Sequence, residues 1–129
     1  GVGPFSGQSV HFRHYAPKDG SDYAVNRYVY EAQRHYGVLD ARLATRKYMV
    51  AETYTIVDMA LWGWARMAPF VAGDDTWAKF PNLKRLMDEI GARPAAKIAN
   101  ALKDRHAFKT EMDDEARKAM FRHMDEKVA

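Results

Sequence analysis

Apolar residues in the first half of the chain recur every three or four positions, as they do along one face of an α-helix. Between Asp22 and about Arg46 the pattern includes Val25, Tyr28, Val29, Ala32, Tyr36, Leu39 and Leu43. Such a face turns towards a core while the intervening polar residues remain in water. The pattern therefore predicts one long amphipathic helix over residues 22–46.

A second helix is predicted after residue 55, where a helix-start signal precedes an apolar run. Thr55 offers the N-cap hydroxyl, and Asp58 three residues later offers the carboxylate of a capping box. We assign both residues a structural role. The run that follows is apolar on nearly every side, which predicts a buried central helix. Its core residues are expected to include Ile56, Met59, Ala60, Trp62, Trp64 and Ala65.

Shorter helices are expected on both sides of this pair. Residues 2–15 have helical spacing, but Gly3-Pro4 and Gly7 predict an interruption within them. Further along, Pro69 and Gly73 are predicted to end the central helix and to begin a loop. The first helical segment is therefore expected to be irregular, and the central helix is expected to stop before residue 73.

The second half of the chain continues the helical pattern. Pro94 suits the first turn of a short helix, and residues 113–127 form a last amphipathic segment. No run of alternating β-branched residues competes with these helices, so the fold class is predicted to be all-α, an irregular helical bundle. One more helix is predicted before Pro94, beginning at Pro81 and followed by Gly91 at its C′ position. Its predicted inward residues are Leu83, Leu86, Met87 and Ile90.

Length and composition favour one globular domain that spans residues 1–129. The chain has 47% hydrophobic and 29% charged residues, which suffices for a core and is typical of a folded protein. Its longest apolar stretch, residues 56–68, contains charged residues and glycine and is shorter than the roughly 18 residues of a membrane span. We expect no membrane association.

The formal net charge of +3 is mildly basic, but lysine and arginine alternate with acidic residues along the sequence. Proteins that bind nucleic acid more often carry a basic stripe with interleaved aromatic residues, so we expect no nucleic acid partner. An unrelated basic helical module that binds nucleic acid is the alternative. The sequence has no cysteine, which excludes disulfides and thiolate chemistry in this chain and favours the cytoplasm.

The histidines do not form a catalytic or metal-binding pattern. His11 and His14 share a helical face, but a metal site needs further ligands nearby. His35, His106 and His123 are scattered along the chain, and nothing places a nucleophile or an acid beside them. We therefore expect no metal ion and no catalytic residue.

Short segments of the chain resemble the nu-class glutathione transferases of bacteria, the branch that resembles disulfide-bond reductases. Near the N-terminus they are Gly3-Pro-Phe-Ser-Gly-Gln8, His11-Phe12 and Tyr23-Ala-Val-Asn-Arg-Tyr28. Three later segments resemble later helices of the same family: Tyr54-Thr-Ile-Val-Asp58, Phe80-Pro-Asn-Leu83 and Ala92-Arg-Pro-Ala95. The resemblance extends to about Phe108, and the tail beyond that residue receives no assignment.

This resemblance implies that the chain is the helical C-terminal domain of a glutathione transferase. The Gly-Pro pair of that family lies inside a long helix, so we expect the chain to begin within the first helix of the domain. The N-terminal thioredoxin-like domain, which activates the sulfur of glutathione in the family, is expected to be absent. The implied activity of the full-length protein is glutathione-dependent disulfide reduction or conjugation by a homodimer, with glutathione as substrate or cosubstrate.

Arg27 is the main binding residue that the resemblance implies. Family members have an arginine at the matching position for a carboxylate of bound glutathione, and a guanidinium group suits that role. Helical spacing also puts Arg27 on a stripe with Tyr23, Tyr30 and Arg34. By spacing alone, the alternative is a solvated helix face on which Glu31 pairs with Arg27.

Phe5, Gln8 and Phe12 are spaced three and four residues apart on the first helix, so they share one face. Periodicity alone favours core packing for them. Because the matching stretch of the family borders the cleft between the domains, the resemblance makes them candidate walls of a pocket for the electrophile or a second glutathione. The chain alone is predicted to be inactive, and a non-enzymatic interaction or regulatory module of transferase fold is the alternative function.

Overall fold

The computed structural model describes residues 1–107, 109, 111–124 and 126. Helices form the regular structure of these residues, and their only pairing of extended backbone is an isolated bridge between Val50 and Thr53. The predicted all-α class is therefore confirmed. The chain divides into two compact units, residues 1–96 and residues 97–129.

The first unit consists of a long helix surrounded by shorter ones. Its elements are α1 (Val2–Val10), which continues as a π-helical turn (His11–Tyr15), α2 (Asp22–Leu43), α3 (Ile56–Ala65), α4 (Ala68–Ala72), α5 (Thr76–Lys79) and α6 (Pro81–Gly91). A further helix, α7 (Pro94–Ala101), begins at the end of this unit. The second unit contains a 3-10 turn (Leu102–Arg105), α8 (Asp114–Met120) and a second 3-10 turn (Arg122–Met124). Phe108 and residues 125 and 127 of the predicted last segment lie outside the described residues.

The helix α2 is the centre of the first unit and packs against α1, α4 and α6. Its buried residues include Ala32, Tyr36 and Leu43, as the apolar spacing predicts. The predicted inward side of α6 is also confirmed, since its four apolar residues are buried: Leu83, Leu86, Met87 and Ile90. The core of the first unit therefore forms where the apolar faces of α2 and α6 meet.

The first helix continues through Gly3-Pro4 and Gly7, so the predicted interruption there is wrong. The proline stands in the first turn of α1, where backbone N–H groups have no intrahelical partner and proline is tolerated. The hydroxyl oxygens of Ser6 and Tyr36 lie 3.0 Å apart and tie the middle of α1 to the core. The irregular part of this segment is the π-helical turn that follows.

Two predicted helix ends also differ from the structure. Pro69 does not end α3, which stops at Ala65, but lies in the first turn of α4. Gly91 is the last residue of α6 rather than its C′ residue, and Ala92 follows it in a right-handed conformation. Because the Ala92 N–H donates to the Asp88 carbonyl at 3.0 Å, this helix end needs no left-handed glycine.

The central helix α3 is buried on one side only, which corrects the prediction of burial all round. Asp58, Leu61 and Ala65 are buried, while Ile56 is 78% exposed and Trp64 is 51% exposed. Within the first unit α3 packs against α1 and α6. These neighbours cover one side of the helix, so the prediction that Trp64 is a core residue is wrong.

The start of α3 is held by the carboxylate of Asp58, which is fully buried. Its Oδ2 accepts hydrogen bonds from the Thr55 N–H at 2.9 Å and from the Thr55 hydroxyl at 3.1 Å. Its Oδ1 accepts from the Met49 N–H at 2.9 Å. Thr55 Oγ1 in turn accepts from the Val57 N–H at 3.3 Å. Thr55 and Asp58 form a reciprocal capping box that also anchors the preceding loop.

Candidate functional site

Arg27 lies on α2 and forms an ion pair with a residue one turn further along the helix. Its Nη1 donates to Glu31 Oε1 at 2.6 Å. The side chain of Arg27 is 47% exposed, whereas that of Glu31 is only 12% exposed. The pair that helical spacing suggested is therefore present, but its acidic member is largely withdrawn from water.

A second arginine occupies the other oxygen of the same carboxylate. Arg34 approaches Glu31 Oε2 with Nε at 3.0 Å and Nη2 at 2.9 Å. His35 donates from Nδ1 to the backbone carbonyl of Glu31 at 2.7 Å, and the same nitrogen stands 3.9 Å from Oε2. One carboxylate thus joins two arginines that lie about two helical turns apart on α2.

These contacts favour the ionised forms of Glu31 and of Arg27. The hydrogen bond from Arg27, followed by the one from Arg34, lowers the pKa of Glu31 below its ordinary value. The hydrogen bond to Glu31 raises the pKa of Arg27 above its ordinary value. Two guanidinium groups around one carboxylate leave one net positive charge at this site, which suits an anionic ligand such as a carboxylate.

Two of the three predicted pocket residues pack against α2. Phe12 stacks on Tyr28 with ring centroids 5.2 Å apart, and the Phe5 ring lies 5.1 Å from the His35 ring. Both phenylalanines are half-buried, and Gln8 is exposed. Phe5 and Phe12 therefore border the helix that carries the ion pair.

Two apolar clefts lie on another side of α1 and were not predicted from the sequence. The larger has a volume of about 320 Å³, and its lining includes Gly7, Gly63 and Phe70. The smaller has a volume of about 250 Å³, and its lining includes Val2. Trp64 on α3 lines both clefts, which explains why a tryptophan of the central helix is half-exposed.

The spacing of glycines is the signal that points to these clefts. Gly3 and Gly7 lie one turn apart on α1, although glycine inside a helix costs about 0.5 to 1 kcal/mol relative to alanine. A Cβ atom at Gly3 would stand 3.0 Å from the Trp64 ring, whereas Cβ atoms at Gly7 and Gly63 would meet nothing within 4 Å. Gly3 thus permits Trp64 to approach α1, and the other two glycines leave the larger cleft open.

His14, one half of the possible metal pair, is held against α4. Its ring stacks on Phe70 with centroids 4.1 Å apart, and its Nε2 is 2.9 Å from the Phe70 carbonyl oxygen. In the part of the chain that the structure describes, no group of three or more histidine, cysteine, aspartate or glutamate residues could hold a metal ion. Over the same residues, no helix combines the length and the apolar character that crossing a membrane requires.

The helical fold of the first unit has a counterpart among known families. The glutathione S-transferase, C-terminal domain family matches residues 9–94, which is most of that unit. The chain therefore belongs to this family, and the resemblance inferred from its sequence motifs is confirmed at the family level.

Two individual relatives show which members of the family the chain is similar to. The chain is 38% identical over 103 residues to the disulfide-bond oxidoreductase YghU of Escherichia coli K12, a match that covers 75% of the chain and 35% of the relative. It is 39% identical over 95 residues to YfcG, a disulfide-bond oxidoreductase of the same strain, and this match covers 74% of the chain and 43% of the relative.

A solved structure is also similar to most of this chain. It is a glutathione transferase from Burkholderia graminis with two glutathione molecules bound per subunit. The TM-score is 0.70 at 33% identity, and the match covers 78% of this chain and 44% of that one. The chain spans less than half the length of each of these three relatives.

Proposed function

We propose that this chain is the helical domain of a nu-class glutathione transferase whose full-length form reduces disulfides or conjugates glutathione to an electrophile. The observation that carries the proposal is the identity of 38% and 39% to two disulfide-bond oxidoreductases, which favours reduction over conjugation. The glutathione bound to the structural relative supports glutathione as the substrate or cosubstrate.

The proposed reduction moves two electrons between sulfur atoms. A glutathione thiolate attacks one sulfur of the substrate disulfide, forms a mixed disulfide and releases one substrate thiol. A second glutathione thiolate attacks the glutathione sulfur of the mixed disulfide and releases the other substrate thiol. The two protons lost by glutathione end on the two released thiols, and glutathione disulfide is the oxidised product. Both nucleophiles belong to glutathione, so the lack of cysteine in this chain is compatible with the route.

In this proposal Arg27 binds a carboxylate of glutathione or of its disulfide. Its side chain is half-exposed, and its hydrogen bond to Glu31 uses Nη1 alone, so further N–H donors remain for a ligand. Phe5, Gln8 and Phe12 are proposed to border the same pocket. The packing of the two rings on α2 and the exposure of the amide support that placement.

We also propose that the full-length protein is a cytoplasmic homodimer. Tyr23 and Tyr30 are large, mostly exposed side chains on the stripe that contains Arg27, and exposed tyrosines of this kind are typical of protein interfaces. In such a dimer Arg27 reaches glutathione across the subunit boundary. The cysteine-free sequence supports a reducing compartment.

Turnover assays on the full-length protein and on the isolated chain test this activity. With glutathione and a small organic disulfide, we expect the full-length protein to consume two glutathione molecules per disulfide reduced. The isolated chain should give background rates only, because none of the residues that the structure describes is placed to stabilise a thiolate. Turnover by the isolated chain equal to that of the full-length protein would contradict the proposal.

A parallel assay with glutathione and a small aryl halide measures conjugation. Faster conjugation than reduction would reverse the preferred reaction. Glutathione binding without turnover in either assay would favour the non-enzymatic interaction or regulatory module.

A further inference from the structure

The two arginines at Glu31 make unequal contacts with it. Arg34 directs two nitrogens, Nε and Nη2, at Oε2, at 3.0 Å and 2.9 Å. Arg27 makes one hydrogen bond, from Nη1 to Oε1 at 2.6 Å. A guanidinium group has five N–H donors, so the contact of Arg27 uses a small part of its capacity. Arg34 therefore contacts the carboxylate with two nitrogens, whereas Arg27 contacts it with one.

A carboxylate as shielded as that of Glu31 needs a compensating charge. Its side chain is 12% exposed, and an unpaired charge withdrawn from water is strongly destabilised. Arg34 supplies that charge through its two-nitrogen contact, so Glu31 does not need a second contact of this kind with Arg27. His35 is a poorer source of compensation, because its Nδ1 is bound to the backbone carbonyl of Glu31.

We propose that Glu31 and Arg34 are positioning residues that hold Arg27 with one edge of its guanidinium group free for a carboxylate ligand. Arg34 neutralises Glu31, Glu31 orients Arg27 through one hydrogen bond, and the ligand binds the donors that remain. This inference rests on the proposed binding of glutathione by Arg27. It gives Arg34 an indirect role, in which Arg34 supports binding without touching the ligand.

The consequence of this arrangement appears when Arg34 is removed. Glu31 then has Arg27 as its remaining arginine and draws it into the two-nitrogen contact. The ligand must compete with Glu31 for the same edge of Arg27, so its binding weakens. Glu31→Gln in addition removes the charge of Glu31 but keeps a side-chain oxygen that can accept the hydrogen bond from Arg27. The competition then ends, Arg27 stays oriented and binding is restored, which a direct contact between Arg34 and the ligand does not predict.

Calorimetric titration of glutathione disulfide into the full-length protein tests this inference. Arg34→Met should weaken binding about fivefold, a size typical of coupled neighbours. Arg34→Lys keeps the charge and should bind within about twofold of the unsubstituted protein. The double variant with Arg34→Met and Glu31→Gln should also return to within about twofold. If Arg34→Met proves unstable, Arg34→Gln replaces it with the same expectation.

The matched control removes a positive charge from a similar pair elsewhere. Lys84 on α6 bonds Asp88 one turn along at 2.6 Å, so Lys84→Met changes the net charge by the same amount as Arg34→Met. We expect this control to bind glutathione disulfide as the unsubstituted protein does. Equal weakening in Lys84→Met and Arg34→Met would overturn the inference in favour of a general charge effect.

Arg27→Ala, measured in the same series, separates the proposed role of Arg27 in ligand binding from the proposed positioning role of Glu31 and Arg34. If Arg27→Ala leaves binding unchanged, the proposed role of Arg27 fails and this inference fails with it. If Arg27→Ala weakens binding and Arg34→Met does not, the inference alone is overturned. Weakening in the double variant as large as that in Arg34→Met also overturns it, because Arg34 would then contact the ligand directly.

Discussion

Among the residues that the structure describes, two acidic side chains are buried, and they have different kinds of partner. Asp58, in the first turn of α3, accepts hydrogen bonds from the backbone N–H groups of Met49 and Thr55 and from the Thr55 hydroxyl. Glu31, in the middle of α2, accepts hydrogen bonds from two half-exposed arginine side chains. Both carboxylates have hydrogen-bond partners, but only the partners of Glu31 are long side chains that lie partly in water.

The kind of partner separates a structural carboxylate from one in a binding site. Backbone donors are fixed by the fold, so the contacts of Asp58 change only if the loop or the helix moves. Arginine side chains are long and partly in water, so the contacts of Glu31 can rearrange when a ligand arrives. Substitutions at Asp58 should therefore change the free energy of unfolding, and substitutions around Glu31 should change ligand binding.

The largest expected effect on stability is that of Asp58→Ala. We expect the free energy of unfolding to fall by about 3 kcal/mol or more, because the buried N–H of Met49 and the partly buried N–H of Thr55 lose a charged acceptor. Urea denaturation of the full-length protein measures this change. Asp88→Ala, which removes an exposed acid from α6, is the control and should change stability little. Equal midpoints for Asp58→Ala and Asp88→Ala would mean that Asp58 has no special structural role and would remove its distinction from Glu31.

A smaller effect is expected for Thr55→Ala, which removes the other half of the capping box. The lost cap should lower the free energy of unfolding by about 0.5 to 2 kcal/mol. Thr55→Ser keeps the hydroxyl and should recover most of that loss. Denaturation midpoints and turnover are measured on the same full-length samples. Lower turnover at unchanged stability would show that Thr55 acts in the functional site and not as a helix cap.

The smallest expected effect is the loss of the stabilising contribution of Glu31 at acid pH. Hydrogen bonds from Arg27 and Arg34 lower the pKa of Glu31 in the folded state below its ordinary value of 4.5. A group with a lowered folded pKa stabilises the protein above its unfolded pKa and loses that contribution as the pH falls through the folded value. The contribution of Glu31 should therefore be complete at neutral pH and decline below about pH 4.5.

Glu31→Gln removes this titration and serves as the comparison. Thermal midpoints of the variant should fall less steeply with decreasing pH in the acid range than those of the unsubstituted protein. Identical acid profiles would mean that the ion pair with the two arginines does not contribute to stability.

The sequence predicted the fold best where neighbouring residues decide the structure. The inward side of α6 follows from the spacing of four residues, and the capping contact of Thr55 and Asp58 spans three. The Gly3-Pro4 pair was misread because the effect of a proline depends on its distance from the start of the helix. The exposure of Trp64 depends on which helices cover α3, and local spacing does not contain that information.

The candidate site could be predicted only in part, for a similar reason. The pair of Arg27 and Glu31 follows from i,i+4 spacing on a helix. The shielding of Glu31 and its second partner, Arg34, depend on packing and on side-chain directions that spacing leaves open. The clefts beside Trp64 combine residues from separate parts of the chain, so no single motif contains them.

Arg27 is the residue on which the proposed binding of glutathione depends most, through a contact with a carboxylate of the ligand. Titration calorimetry of glutathione disulfide on the full-length protein tests this contact, with Arg27→Ala and Arg27→Lys as variants. Because a charge-assisted hydrogen bond is lost, Arg27→Ala should weaken binding by about tenfold or more while the unfolding midpoint barely moves. Arg27→Lys should recover part of the loss, since a point charge cannot reproduce a planar two-donor contact. Binding by Arg27→Ala within about threefold of the unsubstituted protein would contradict the account and leave Arg27 as a helix-surface residue paired with Glu31.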